Sequence, residues 1–402
     1  LDIELGELVK TGNLRIRRVV GLLLASLSFY STLFLRVYWG PLAPYLEAEG
    51  VDRELVGLTG SLFFSGYVAS QIPGGILADR RGPGFTMGLG LVISGSINAL
   101  ISVTLPSIWP LLSIATGIFA GTVYGPSIKL IRELFPDNTE RAMGFYGISW
   151  ALPFLVAPWL VPYIASTLGA AYAHVVSSIT SISIGILDLV FLRDVGARDG
   201  NGLGVYEILR VLRGSSSRVA LISIGGLLVL YYNWVIAYWL YYYMIQSGID
   251  AVSASAAMSI FSISGIASMP LAGMLAEKMG LFRLLLTDLA IYSLSGIGVA
   301  LSPNLPYVFL YAGALGVSRY ITTPLNSSIL ARSFDEKIVA TASSTVNMLW
   351  QMSGIAAPYV TVVLFKIATP GGAMLISALT PATAIIPYAI LARAIRKKEP
   401  RN

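Results

Sequence analysis

The chain has 402 residues, is 55% hydrophobic and only 12% charged, where an ordinary soluble domain carries roughly 25% charged residues. That balance suits lipid and excludes a large water-soluble domain. The absence of cysteine excludes disulfides, thiolate metal sites and cysteine nucleophiles together. A net charge of +6 would allow a nucleic-acid partner, so the placement of the basic residues has to decide.

A bilayer-spanning helix needs about 20 mostly apolar residues. The apolar stretches predict twelve spans, in chain order at 19–46, 55–76, 85–105, 108–132, 143–168, 172–192, 219–245, 254–276, 283–301, 307–331, 340–367 and 372–392. Span 1 has no small-residue cleavage site after it and exceeds a signal-peptide core, so it is expected to stay in the protein. The longest polar connection, Arg193 to Arg218, holds five Arg and three consecutive Ser. It divides the chain into an N-terminal six-helix bundle (1–192), a linker (193–218) and a C-terminal six-helix bundle (219–402). Within the linker, Val205 to Arg213 carries apolar residues at helical spacing and reads as an amphipathic helix on the membrane surface.

With the N-terminus on the cytoplasmic side, all but four of the 27 Lys and Arg fall in the N-tail, the even-to-odd loops, the linker and the C-tail. This is the positive-inside asymmetry. It places both termini and the linker in the cytoplasm and accounts for the net charge without nucleic acid. Arg53 and Lys366 lie outside, and Arg36 and Arg319 fall inside spans.

The two halves repeat. A shift of 198 lays Ser61–Gly82 over Ser259–Gly280 with eight identities in 22, and brings Pro126 onto Pro324. Two residues more bring Trp150 onto Trp350 and Ala157-Pro158 onto Ala357-Pro358. The strongest part of the repeat is Gly75-Ile76-Leu77-Ala78-Asp79-Arg80-Arg81-Gly82, matched by Gly273-Met274-Leu275-Ala276-Glu277-Lys278-Met279-Gly280. Glycines here permit a tight turn, and Asp79 can pair with a cation or a helix N-terminus.

Both stretches resemble the signature of the major facilitator superfamily in the loop after span 2 and its second-half copy. The stretch Gly117, Gly121, Gly125-Pro126, Phe135-Pro136 and Arg141 is similar to span 4 in the organic-anion branches of that superfamily. Ser113 stands where many relatives carry an arginine, and Pro83-Gly84 replaces the trailing basic residue of the first signature. Gly144, Pro153 and Ala157-Pro158 form a degenerate version of an antiporter motif. The resemblance implies an all-α integral membrane protein of twelve helices in two pseudo-symmetric halves, with substrate bound near the midplane and alternating access. In that scheme Gly75, Asp79, Arg80 and Gly82, with Gly273, Glu277, Lys278 and Gly280, form a cytoplasmic gating latch.

Arg36 and Arg319 are the candidates for recognising substrate. A cation at the centre of a span costs roughly 2.5–3.5 kcal/mol on insertion scales, and the resembled fold puts spans 1, 4, 7 and 10 around the cavity. Two guanidinium groups suit a carboxylate or phosphate; the alternative is a structural arginine satisfied by backbone carbonyls at a kink, open for Arg36 near Gly40-Pro41. Tyr231, Trp234 and Tyr238 share a face of span 7 and can either clamp a substrate or pack. Tyr238, Trp239 and Tyr241–Tyr243 read as an interfacial belt. Asn347 and Gln351 share a face of span 11 and offer orienting hydrogen bonds or interhelical contacts. Asp188 and Asp288 read as neutralised by Arg193 and Arg283, so no proton carrier is evident. His174, the one histidine, reads as interfacial, and Asn326-Ser327-Ser328 as a chance glycosylation match inside span 10.

The expected activity is secondary transport of a small organic anion at the cell membrane, by a monomer, with no cofactor and no metal. A drug or amphiphile exporter, in which the arginines are structural and the aromatic face matters, is the neighbouring alternative. A non-transporting receptor is a remoter one. An enzyme would need a convergent catalytic set, which one histidine and no cysteine do not supply.

Overall fold

The computed structural model describes residues 14–193, 216–333 and 345–396, which are helical with short connections and contain no strand. The linker, with its Val205 to Arg213 segment, lies outside them apart from its ends. The chain divides into two compact units, Leu1–Gly202 and Leu203–Asn402.

Among the described residues, ten helical stretches are long and apolar enough to cross a membrane. One of them, Thr345–Ile395, is 51 residues long and is two spans in one. The backbone leaves helical geometry at Ala368 and Thr369, inside the gap predicted between spans 11 and 12. Span 10 is the helix Tyr307–Ser333, long enough to cross but diluted by Arg319, Thr322, Thr323, Asn326, Ser327 and Ser328. With these two, each unit holds six spans, and the fold is the all-α, twelve-span arrangement in pseudo-symmetric halves.

The halves match in detail. Asp52 caps the helix Arg53–Arg81 by accepting from the Glu54 amide, and Asp250 caps Ala251–Met279 by accepting from the Ser253 amide. Those helices end at Gly82 and Gly280, whose φ angles of 91° and 84° are readily adopted only by glycine. Each signature loop is therefore a one-residue reversal into the next span. In the N-terminal unit a Cβ on Gly117 would lie 2.0 Å from the Phe63 carbonyl oxygen, and in the C-terminal unit a Cβ on Gly316 would lie 2.0 Å from that of Phe261. Spans 2 and 4, and spans 8 and 10, thus meet backbone to backbone, as small residues allow in lipid.

Span 1 comprises Leu14–Val37 and Trp39–Ala48, with a turn at Tyr38. Span 7 comprises Ser216–Val235 and Tyr241–Gln246, joined by a π-helical segment, Ile236–Leu240. The shift of 198 carries Tyr38 onto Ile236. Both first spans are therefore irregular at the same register, and such irregularities concentrate at functional sites.

Candidate functional site

In the C-terminal unit, Arg319 lies on span 10 and is only partly buried. Its Nε donates to Asn233 Oδ1 of span 7 over 2.5 Å, and its Nη1 donates to Thr323 Oγ1 over 2.8 Å. Asn233 itself is 4% exposed. The guanidinium is thus oriented by two neutral acceptors, and no carboxylate neutralises it among the described residues. Tyr231, two residues before Asn233 on span 7, is partly exposed and places its hydroxyl 3.4 Å from Thr361 Oγ1 on span 11. Trp234 and Tyr238 are buried, so Tyr231 is the member of the span 7 aromatic set with an open face.

In the N-terminal unit Arg36 is fully buried. Its Nε donates to the Thr32 carbonyl over 3.2 Å, and its guanidinium carbon lies 4.1 Å from the centre of the Tyr67 ring, with Phe64 and Phe29 at 5.8 and 5.9 Å. A guanidinium on aromatic faces is a cation–π arrangement, strengthened by desolvation. The sequence expectation of a cavity-facing cation thus meets an aromatic cage around Arg36 and a partly open setting for Arg319.

Asn347 is partly buried on the helix at 345–351. Gln351 is 3% exposed and its Oε1 accepts no hydrogen bond. A buried, unsatisfied amide oxygen is costly, which makes Gln351 the stronger of these two candidates for a polar ligand.

The signature residues differ between the halves. Asp79 accepts from Lys129 Nζ of span 4 over 2.8 Å, and the same ammonium reaches the Ala78 carbonyl at 3.3 Å. Glu277, with Lys278, is exposed. The acid of the first signature is therefore held inside its own unit. Lys129 has Ser327 at the repeat-related position, which explains the asymmetry.

Three polar features depart from the sequence reading. Tyr241, Tyr242 and Tyr243 are buried at 1%, 0% and 4% exposure instead of forming an interfacial belt. Tyr242 stacks on Phe365, Tyr243 donates to the Ala300 carbonyl, and Trp239 donates to the Pro358 carbonyl. His174 is 1% exposed between Trp39 and Trp109, with Nδ1 2.7 Å from the Tyr38 hydroxyl, which also donates to Asn98. It fixes the turn of span 1 to spans 3 and 6. Arg193 and Arg283 are exposed and form no ion pair among the described residues. Asp188 instead accepts from Ser28 over 2.6 Å, and Asp288 bonds Thr322 over 2.8 Å.

Comparison with known proteins agrees with this architecture. Among curated proteins, the membrane sensor protein UhpC of Salmonella typhimurium is 27% identical over 274 residues, 61% of each chain. A probable hexose phosphate transport protein of Chlamydia trachomatis is 24% identical over 272 residues, 58% of this chain and 59% of that one. The chain thus spans about 60% of the length of these relatives. Among solved structures, a bacterial homolog of the human lysosomal transporter Spinster superposes with a TM-score of 0.76 at 14% identity, covering 96% of this chain and 98% of that one. The nucleoside transporter NupG gives a TM-score of 0.75 at 15% identity, with 94% and 99% covered; at such identity both show the fold alone. Residues 22–358 match the Major Facilitator Superfamily, and this multi-pass membrane protein belongs to that family.

Proposed function

We propose that the chain is a secondary active transporter of a small organic anion, an organophosphate before a carboxylate, working by alternating access. The observation that carries the reading is Arg319, a span 10 guanidinium oriented by Asn233 and Thr323 and lacking an acidic partner among the described residues. An oriented planar fork is suited to bidentate binding of phosphate or carboxylate. The names of the relatives favour phosphate, since those from Chlamydia are described as hexose phosphate transport proteins. Arg36 is the second anchor, whose guanidinium must leave its aromatic cage to meet an anion. Tyr231, Trp234, Tyr238, Asn347 and Gln351 complete the set, packing on or hydrogen-bonding the substrate body. The protein acts as a monomer in the cell membrane with both termini cytoplasmic, carries no cofactor and catalyses no covalent chemistry.

Counterflow in proteoliposomes with labelled monocarboxylates, dicarboxylates and hexose phosphates tests the reading. Exchange of a hexose phosphate that is lost in Arg319→Gln supports it, whereas exchange of lipophilic cations alone overturns it. A second reading follows from UhpC, which is described as a sensor: tight hexose phosphate binding with no exchange would make this chain a receptor.

A further inference from the structure

Asp288 occupies an unusual position for a carboxyl group. It lies within span 9 at 4% exposure, and the group nearest to it is a hydroxyl, not a cation. Thr322 Oγ1 of span 10 is 2.8 Å from Asp288 Oδ2 and also 2.8 Å from the Ser318 carbonyl oxygen. A threonine hydroxyl has one proton to donate and can accept as well. With Asp288 ionised, Thr322 faces two acceptors with a single proton, and one contact is unsatisfied. With Asp288 protonated, the carboxylic O–H donates to Thr322, Thr322 donates to Ser318, and every contact is made.

Beyond the Ser318 hydroxyl, which also lies beside the carboxyl, the surroundings supply no compensation. Span 9 packs on spans 8, 10, 11 and 12. Of their ionisable groups, Glu277 and Lys278 of span 8, Lys366 of span 11 and Arg393 of span 12 are exposed, as is Arg283 of span 9 itself. Tyr388 of span 12 donates to Asn326 over 2.8 Å. Tyr292, one turn from Asp288, packs against Tyr232 of span 7 with ring centres 5.1 Å apart, and it lies in the electrostatic field of both Asp288 and Arg319. Span 10 carries Tyr307 and Arg332, which are exposed, Tyr311, which is half-buried, and Arg319 and Tyr320, with Arg319 one helical turn from Thr322. No ion pair reaches Asp288 among the described residues.

Asp188 of the N-terminal unit has no such arrangement. Ser28 donates to its Oδ2 over 2.6 Å with no competing acceptor, its Oδ1 is buried without a hydrogen-bond partner, and it belongs to the unit that does not hold Arg319.

We propose that Asp288 is a proton-binding site coupled to the anion site at Arg319, so that one proton crosses with each anion. The inference rests on the transport reading above. The carboxylate takes a proton from the side to which it is open, holds it through the Thr322–Ser318 relay, and releases the same proton on the other side; no other bond changes. The coupling is electrostatic. An anion at Arg319 adds negative charge one turn from Thr322, the hydrogen-bond partner of Asp288, and favours the protonated carboxyl, and by reciprocity the bound proton favours the anion.

Two measurements on the full-length protein test this. In the first, infrared difference spectra of reconstituted protein between acid and alkaline buffer, with no substrate, should show a protonated-carboxyl C=O band that is absent in Asp288→Asn and present in Asp188→Asn. In the second, vesicles acidic outside should accumulate glucose 6-phosphate against its gradient in the wild type and in Asp188→Asn. Asp288→Asn should exchange the anion but accumulate it only to a ratio of one. A band that survives Asp288→Asn, accumulation by that variant equal to wild type, or loss in Asp188→Asn instead would overturn the proposal. Absence of exchange for every anion in the wild type overturns the transport reading, while the infrared result still decides whether Asp288 binds the proton.

Discussion

Lys129 of span 4 donates to Asp79 at the end of span 2 over 2.8 Å, and both belong to the N-terminal unit. With side chains 26% and 23% exposed, the pair falls between a surface ion pair and a buried one. A coupling energy of about 1 kcal/mol is expected, near the top of the range for exposed pairs. Thermal melts of Asp79→Asn, Lys129→Met and the double variant in detergent measure it, and additive single effects would show that the contact contributes nothing. Glu277→Gln should leave the melting temperature unchanged, since Glu277 is exposed.

Arg319→Gln should weaken anion binding by well over tenfold, because removing one member of a desolvated charged pair costs about 2–5 kcal/mol. Arg319→Lys should recover only part of that, a point charge having replaced a fork. Asn233→Ala should have a smaller effect, since it frees the guanidinium without removing it. Radioligand binding to purified variants with labelled glucose 6-phosphate gives the order, and equal affinity in wild type and Arg319→Gln would remove Arg319 from the site.

The cage around Arg36 predicts a graded series. Tyr67→Phe keeps an aromatic face 4.1 Å from the guanidinium and should be nearly neutral. Tyr67→Leu removes a desolvated cation–π contact of about 2 kcal/mol and should lower stability by a comparable amount. Arg36→Gln should weaken the anion as Arg319→Gln does. Chemical unfolding read from the buried tryptophans separates the stability effects from binding.

Gly316→Ala and Gly117→Ala should each fail to give a monodisperse, folded protein, because the new methyl would sit 2.0 Å from a backbone carbonyl oxygen that has no room to retreat. Gly125→Ala and Gly273→Ala, with nothing within 4 Å of the added carbon, should fold normally. Size-exclusion profiles of the four variants are the readout. Normal folding of Gly316→Ala would mean that spans 8 and 10 can part at little cost.

Single cysteines at Gly200, Asp250 and Asn304 can be labelled without background, since the chain has no cysteine of its own. Gly200 should react only from the cytoplasm and the other two only from outside. External labelling at Gly200 would invert the topology on which the transport direction depends.

Most spans were legible in the sequence because each is a long apolar run, and the repeat was legible because Gly82 and its partner Gly280 close the same signature twice. The break at Ala368 and Thr369 falls in the gap predicted between spans 11 and 12. Partners were not legible. Lys129 lies 50 residues from Asp79, and only the packing of spans 2 and 4 joins them. Tyr242 and Tyr243 resembled an aromatic belt because polar-tipped rings near a span end usually seek the interface. Here Phe365 and the Ala300 carbonyl satisfy ring and hydroxyl inside the bundle. His174 was misread for the same reason, its polar partner Tyr38 being 136 residues away. Asp288 was read through its neighbour in sequence, Arg283, when its neighbour in space is Thr322.

The π segment Ile236–Leu240 holds one residue more than an α-helical turn would need. Were the segment to relax to α geometry, the surplus residue would pass along the helix, turning Tyr241–Gln246 by about 100° and shifting it by about 1.5 Å relative to Ser216–Val235. Span 7 thus contains a built-in screw. Its thread lies between Asn233, which orients Arg319, and Tyr243, which is tied to span 9 through the Ala300 carbonyl. Advancing it by one step would re-aim the guanidinium's acceptor without breaking the helix at either end.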